Sequence, residues 1–175
     1  MSSRPRPLNK PAIIRLILSK LISVTEVSKP DRPSLGQQGE RLAVEHLSSS
    51  GYRIVLTNFK VPVGRNSKGV AVTGEIDIIA LDGEILCFVE VKTRRSAEFA
   101  SPEVNVDRRK QRQITRTAKV YRRLFNIWDM PHRYDVVTVV LPDRAGPTVT
   151  LLKDHWQESQ FRKRNWNMEA WQEFP

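Results

Sequence analysis

Two short segments near the middle of the chain carry the residues best suited to chemistry. One reads G-E-I-D-I-I-A from residue 74, and the other reads V-E-V-K-T from residue 89. Charged and aliphatic side chains alternate in both, and a β-strand turns alternate side chains to opposite faces. We therefore expect Glu75 and Asp77 to share one face of the first strand, with the aliphatic residues beside them on the other face. Glu90 and Lys92 should share one face of the second strand.

The turn between the two segments decides how these faces meet. Asp82-Gly83 is typical of the two central residues of a tight hairpin. This turn pairs Asp77 with Phe88. It also places Glu75 opposite Glu90, so that Asp77 and Glu90 are diagonal neighbours roughly 7–8 Å apart. A one-residue slip would divide the charged residues between the two faces of the sheet. The turn therefore predicts a single cluster of acids with one lysine.

Such a cluster between apolar strands is costly unless its charge is offset. A divalent cation held by Asp77 and Glu90, with Glu75 as a further carboxylate, would offset it, and oxygen ligands suit Mg²⁺ or Mn²⁺. The metal would bind a scissile phosphate and acidify an attacking water, and Lys92 would orient that water or stabilise developing charge. The alternative is a structural ion cluster, in which the same residues neutralise one another.

Glu40 lies on a predicted helix and is a candidate for the same site. Its spacing from Gly36, Ala43 and Leu47 puts it beside the apolar stripe, where a carboxylate needs a partner. That partner would be the proposed metal, reached directly or through water, or the amine of Lys92. The alternative is a carboxylate at the edge of the helix that extends into water.

A second predicted helix, capped by Asp107, is strongly basic. From residue 94 to residue 123 the chain has ten basic and three acidic residues. A solvated surface explains many charge runs, but a run of one sign repels itself and favours a polyanionic partner. Lys110 lies on the apolar side of this helix, from where it could reach the acids, a phosphate or water. The residues predicted to bind nucleic-acid phosphates are Arg94, Arg95, Arg108, Arg109, Lys110, Arg112, Arg116 and Lys119.

Composition supports the same class of partner. The 175 residues include 29 Lys and Arg against 19 Asp and Glu, a net charge of +10, which attracts polyanions such as nucleic acid. Cys87 is the single cysteine, which excludes an intrachain disulfide and a thiolate zinc site. This cysteine usage suits a reducing cytoplasm, where we expect the protein. The sequence has no apolar run of the roughly 20 residues that would span a bilayer.

The positions of turn residues and apolar repeats predict seven elements around one central sheet. We expect an α/β fold with a mixed sheet flanked by helices. Residues 1–33 form a basic, flexible arm, residues 34–154 form the domain, and residues 155–175 form a Trp-rich tail. The predicted elements are a helix from Ser34 to Gly51, strands at 52–59, 74–81 and 85–93, a helix at 107–125, and strands at 134–141 and 148–152, with a loop at 61–73.

Several segments together match the pattern of a known family: G-Q-Q-G-E at 36–40, G-Y at 51–52, Asn58, G-E-I-D-I-I-A at 74–80, F-V-E-V-K-T-R at 88–94 and R-Y-D-V-V at 133–137. Over about residues 34–152 the chain resembles the YraN family of bacterial proteins. The resemblance implies a restriction-endonuclease-like fold, as in archaeal Holliday-junction resolvases. It also implies that the PD-(D/E)xK signature of that fold corresponds to Asp77, Glu90 and Lys92, with Glu40 as an additional acid.

The leading hypothesis is a Mg²⁺-dependent endonuclease that hydrolyses phosphodiester bonds in DNA, with structured or branched DNA as one candidate substrate. The main alternative is a non-catalytic nucleic-acid-binding module on a nuclease-like scaffold. A third is an interaction protein whose arm or Trp-rich tail docks on a partner or a membrane. A homodimer would suit a two-fold symmetric substrate, and the sequence leaves the oligomeric state open.

Overall fold

The computed structural model describes residues 33–65, 68–96 and 106–161, which form a single five-stranded sheet between two helices. The mixed α/β architecture is therefore as predicted. The elements are α1 (Leu35–Ser49), β1 (Arg53–Arg65), β2 (Ala71–Asp82), β3 (Ile85–Arg94), α2 (Arg108–Leu124), β4 (His132–Val140), β5 (Thr148–Trp156) and a short 3₁₀ helix (Glu158–Phe161).

The strands follow one another in the sheet in chain order, from β1 to β5. Three of the four pairings are antiparallel, and β3 pairs with β4 in parallel. A parallel pair needs a long crossover connection, which α2 supplies here. The two faces of the sheet carry separate apolar clusters, one including Ala43 and Leu47 of α1 and the other including Ile114 and Tyr121 of α2. One helix thus covers each face.

The predicted helix from Ser34 is observed, and its start is a capping box. Ser34 Oγ accepts a hydrogen bond from the backbone N–H of Gln37 at 3.2 Å, and Gln37 Oε1 accepts one from the N–H of Ser34 at 2.8 Å. Gly39 brings the helix onto the end of β3, since a Cβ at this position would lie 2.8 Å from the Cβ of Thr93. Only glycine permits this approach, which brings the first turns of α1 close to the end of β3.

The hairpin between β2 and β3 has a different register from the predicted one. Asp82 pairs with Ile85, so the central turn residues are Gly83 and Glu84, and Gly83 takes the positive φ of 59°. The predicted pairing was therefore wrong by two residues. Continued by one residue beyond the last pair, the observed register places Asp77 across from Glu90, and the charge of Glu90 acts on Asp77.

Alternation along β2 is also broken, which contradicts the prediction that Ile76 and Ile78 share a face. Ile76 packs in the cluster under α2, whereas Ile78 packs in the cluster under α1. The break falls at Asp77, across from which Asn58 of β1 has a φ of 54°. A left-handed residue interrupts the regular pleat, so strict alternation does not keep Glu75 on the face of Asp77.

The predicted loop at 61–73 is wrong, because β1 continues to Arg65 and β2 already begins at Ala71. Pro62 and Gly64 indicated a loop, but they flank a register shift within the strand pairing. Since β1 is an edge strand, a residue without a backbone N–H is tolerated there. The result is a long two-stranded hairpin.

At the other end of the domain, β5 runs four residues beyond its predicted end, to Trp156. The Trp156 ring is 2% exposed, stacks on Tyr134 with 5.0 Å between ring centroids, and donates a hydrogen bond to Thr115. The predicted arm up to residue 32 and the tail from residue 162, with Trp166 and Trp171, lie outside the described residues. Among the helices that are described, none is long and apolar enough to cross a membrane.

Candidate active site

The candidate site lies where β2 and β3 diverge. Their pairing ends at Ile78 and Val89, one residue before the acids. Beyond that pair, Asp77 Oδ2 accepts a hydrogen bond from the backbone N–H of Val91 at 2.7 Å. The Asp77 side chain therefore bridges to β3 where the backbone ladder has ended, and Glu90 is the residue across from it.

Glu90 is 2% exposed and faces two lysines. Lys92 Nζ lies 2.7 Å from Glu90 Oε1, and Lys110 Nζ lies 3.1 Å from Oε2. Each oxygen of this buried carboxylate therefore faces one ammonium group.

The electrostatics of Asp77 reflect burial beside another acid. Burial and the nearby charge of Glu90 raise the pKa of Asp77 to about 7, although the hydrogen bond from Val91 opposes the rise. Burial alone would lower the pKa of Lys110, but the charges of Glu90 and Asp77 outweigh burial and raise it. Two acids in one low-dielectric site therefore favour a positive charge between them.

The position of Lys110 follows from the cap of α2. Asp107 accepts hydrogen bonds from the backbone N–H groups of Arg109 and Lys110, at 2.7 and 3.0 Å. These bonds hold the pKa of Asp107 below its usual value. The cap fixes the first turn of α2 so that Lys110 reaches Glu90. The sequence left three destinations open for this side chain, and the structure places it on the carboxylate cluster.

Glu40 and Glu75 lie at the margin of the site. Glu40 Oε2 accepts a hydrogen bond from Asn58 Nδ2 at 3.1 Å, and its charge contributes to the raised pKa of Asp77. Glu75 Oε1 instead pairs with Lys60 on β1, at 3.1 Å. Each has therefore found a local partner, and the structure does not bring all four predicted acids together.

No group of three or more His, Cys, Asp or Glu residues positioned to hold a metal is found in the described part of the chain. The half-buried Asp77 and the buried Glu90 nevertheless lie close enough for the charge of Glu90 to raise the pKa of Asp77, and two neighbouring carboxylates would fit a divalent cation. Lys92 and Lys110 supply the positive charge in this structure.

The predicted phosphate-binding residues other than Lys110 are all exposed. Three of them also contact other parts of the chain: Arg95 pairs with Asp143 at 3.0 Å, Lys119 pairs with Glu158 at 2.8 Å, and the Arg112 guanidinium lies 5.7 Å above the Phe161 ring. The 3₁₀ helix thus packs against part of the basic side of α2.

A cavity of about 320 Å³ lies beside this 3₁₀ helix and is lined by none of the predicted catalytic residues. Glu158 contributes to its wall, 3.4 Å from His132 Nε2 and 3.7 Å from Arg122 Nη1. Burial would raise the pKa of Glu158, but Lys119 and His132 hold it below its usual value. These interactions of Glu158 hold the 3₁₀ helix against the rest of the domain.

The sequence reasoning did not foresee an ion network at the far end of the β2–β3 pairing. Arg133 Nη2 donates to Asp82 and to the Tyr52 hydroxyl, both at 2.7 Å, and Nε donates to the fully buried Asp135 at 2.9 Å. Arg133 and Lys153 lower the pKa of Asp82 to about 2. The available signal was the R-Y-D motif at 133–135, in which two opposite charges lie on the same face of one strand.

Comparison with known proteins places most of this domain in one family. The model of "Uncharacterised protein family UPF0102" matches residues 39–139. A UPF0102 protein of Geotalea uraniireducens is 39% identical over 129 residues, which are 74% of this chain and 94% of the relative. The UPF0102 protein of Koribacter versatilis is 40% identical over 73% of this chain and 82% of its own length. The UPF0102 protein of Chlorobaculum tepidum is 43% identical over 61% of this chain and 74% of its own length.

Among solved structures, one described as "Crystal structure of SSO0001" is similar to this chain. It is 14% identical in sequence, with a TM-score of 0.36, over 86% of this chain and 80% of that one.

Proposed function

This chain belongs to the uncharacterised protein family UPF0102, which is the YraN family, and we propose that it is a metal-dependent endonuclease that hydrolyses phosphodiester bonds in DNA. In this proposal the mixed sheet and its helices form a restriction-endonuclease-like core. Asp77, Glu90 and Lys92 are its PD-(D/E)xK residues, and branched or otherwise structured DNA is among its substrates.

One observation carries the proposal: the Asp77 carboxylate lies across from Glu90 at the point where two strands separate. Beside the buried Glu90, burial and the charge of that carboxylate raise the pKa of Asp77 to about 7. Perturbed acids of this kind are typical of functional sites, although structural networks also produce them.

Asp77 and Glu90 hold the metal ion in this proposal, and Glu40 contributes through a bound water from its position beside Asn58. A bound Mg²⁺ or Mn²⁺ supplies a Lewis acid for the scissile phosphate and a water of lowered pKa. Lys92 and Lys110 now contact Glu90, so these ammonium groups would compete with a metal ion for its carboxylate.

The two lysines then have separate roles. Lys92 is a third exposed and lies on β3 beside the metal ligands, so it orients the attacking water or stabilises charge on the phosphate. Lys110 lies in the first turn of α2 next to exposed Arg108 and Arg109, so it contacts a neighbouring phosphate. Contacts of this kind position nucleic acid without reading its sequence.

The direct test is cleavage of linear, flapped and four-way DNA by the purified full-length chain with Mg²⁺ or Mn²⁺. We expect nicking by the wild type, and loss of at least 100-fold in rate for Asp77→Asn and Lys92→Met. Glu45→Gln, an exposed change on the outer side of α1, is the matched control and should cleave normally. Equal rates in all four proteins would assign the activity to a contaminant.

A second candidate function is non-catalytic binding of nucleic acid. The pairing of Glu90 with both lysines favours it, because the site reaches charge balance without a metal. Salt-dependent DNA binding by the wild type, with no cleavage of any substrate in either metal, would support this alternative.

A further inference from the structure

The hairpin of β1 and β2 extends well past the rest of the sheet. Pairing between β1 and β2 continues to Arg65 and Ala71, whereas pairing between β2 and β3 stops at Ile78. Residues 59–65 and 71–76 therefore form a two-stranded ribbon that leaves the sheet at the candidate active site. We call this segment the ribbon. Residues 66 and 67 lie outside the described part of the chain.

A two-stranded ribbon without a third strand is marginally stable alone, and contacts with α2 support this one. Gln113 Nε2 donates a hydrogen bond to the backbone carbonyl of Thr73 at 2.9 Å. Gly74 lies against Thr117, whose Cβ would be 3.2 Å from a Cβ at position 74. Phe59 packs edge-on against Tyr121, with 5.2 Å between ring centroids. The base of the ribbon is therefore held at a fixed angle to the sheet.

The far end of the ribbon is exposed and basic. Lys60 near the base is paired with Glu75, which is the one acid in the described part of the hairpin beyond Asn58 and Asp77. Toward the tip, Arg65 and Lys68 are exposed, and Val70 is 59% exposed. The Arg65 guanidinium donates to the Gly69 carbonyl at 2.6 Å, which orders the arginine without neutralising it.

We propose that the ribbon lies in the major groove of a DNA duplex that flanks the scissile phosphate. A two-stranded ribbon fits that groove, which is about 12 Å wide, and the basic tip complements the phosphates at its edges. The six residue steps from Asp77 to Ala71 span roughly 20 Å at about 3.3 Å per residue. At about 3.4 Å per base pair along the helix axis, this length sets an upper limit of roughly six base pairs. The inference rests on the proposed function and adds a duplex arm to the substrate.

The test compares charge removal at the tip of the hairpin with charge removal at the opposite end of β1. Arg65→Gln and Lys68→Gln, separately and combined, remove charge at the tip. Arg53→Gln removes the same charge from the exposed first residue of β1, at the other end of the strand, and is the matched control. Arg65→Lys keeps the charge and should bind like the wild type. Equal thermal midpoints would show that all variants fold.

Binding is measured by fluorescence anisotropy in EDTA, where no cleavage occurs, using forked DNA with duplex arms of 4, 8 and 16 base pairs. We expect wild-type and Arg53→Gln affinities to rise about tenfold from the shortest arm to the 8-base-pair arm and then level off. The double tip variant should lose this gain, and its salt slope should fall by about two.

Three results are decisive. If the double tip variant gains affinity with arm length as Arg53→Gln does, the ribbon proposal is wrong while the nuclease proposal stands. If the wild type prefers single strands to any duplex arm, the ribbon proposal is again overturned. If the wild type neither binds nor cleaves any of the DNAs, the proposed function itself fails.

Discussion

The carboxylate of Asp77 accepts a hydrogen bond from the backbone N–H of Val91 immediately beyond the last residue pair of β2 and β3. A side chain thus takes over the role of a backbone carbonyl, and the two strands can separate without leaving that N–H unsatisfied. Glu90 becomes accessible to Lys110 of α2 as well as to Lys92 of its own strand. The hydrogen bond from Val91 to Asp77 therefore lies where the two strands separate and where the charged side chains of the site meet.

The first prediction concerns the stability of Asp77→Asn as a function of pH. The pKa of Asp77 is about 7 in the folded chain against an ordinary value of 3.8. Between these values the folded state retains a proton that the unfolded state has released, so stability falls as pH rises from about 4 to 7. Asn keeps an acceptor for Val91 and removes this penalty. We expect the variant to be more stable than wild type at pH 8, by on the order of 2–4 kcal/mol, and nearly equal at pH 4.

Urea denaturation at the two pH values measures this difference. If the variant is less stable than wild type by the same amount at both pH values, the charge of Asp77 does not destabilise the folded state.

The second prediction concerns the two lysines that face Glu90. Lys92 and Lys110 are 34% and 30% exposed, so each can be lost singly while the other keeps the buried carboxylate paired. We expect Lys92→Met or Lys110→Met to cost about 1 kcal/mol, and the double variant to cost roughly 3–5 kcal/mol at pH 8. Additive effects in the double-mutant cycle would contradict this shared role.

The third prediction tests metal binding without relying on cleavage. A ligand present at ten times its Kd stabilises the folded state by about 1.4 kcal/mol. Mn²⁺ or Mg²⁺ should therefore raise the thermal midpoint of the wild type by a few degrees, reversibly with EDTA. Glu90→Gln should lose this shift, whereas Glu45→Gln should keep it. The double lysine variant should show a larger shift than wild type, because its carboxylate has no competing ammonium group. A shift retained in Glu90→Gln would place the metal elsewhere.

The fourth prediction concerns the approach of α1 to β3. Gly39→Ala places a Cβ 2.8 Å from Thr93 Cβ and should cost about 1–3 kcal/mol, because the helix must move off the strand. Gly36→Ala, one turn earlier with its nearest neighbour 3.9 Å away, should instead stabilise the chain by about 0.5–1 kcal/mol through helix propensity. Chemical denaturation of the two variants separates the effects. Similar stabilities would show that Gly39 does not set this contact.

Sequence reasoning was accurate where a local signal has one structural outcome. The capping box at Ser34 and the cap at Asp107 began helices as predicted, because each supplies a partner for backbone N–H groups of the first turn. Aliphatic runs in β3 and β4 likewise gave buried strands. Reasoning was inaccurate at the hairpin 53–82, where Pro62 and Gly64 are as compatible with an edge strand as with a loop.

The chemical identity of the candidate site was present in the sequence: Asp77, Glu90 and Lys92 were selected by alternation and by the family pattern. The register that pairs β2 with β3 was not, because two hairpin turns whose registers differ by two residues put the same side chains on the same faces. The residue pattern of one segment therefore cannot distinguish the two turns. Tertiary packing decided the rest. It pairs Lys110 with Glu90 and Glu75 with Lys60, and it breaks the alternation of β2 at Asp77. Sequence fixes residue types and local periodicity, whereas the partner of a charged side chain is decided by distances between segments far apart in the chain, and only the folded structure sets those.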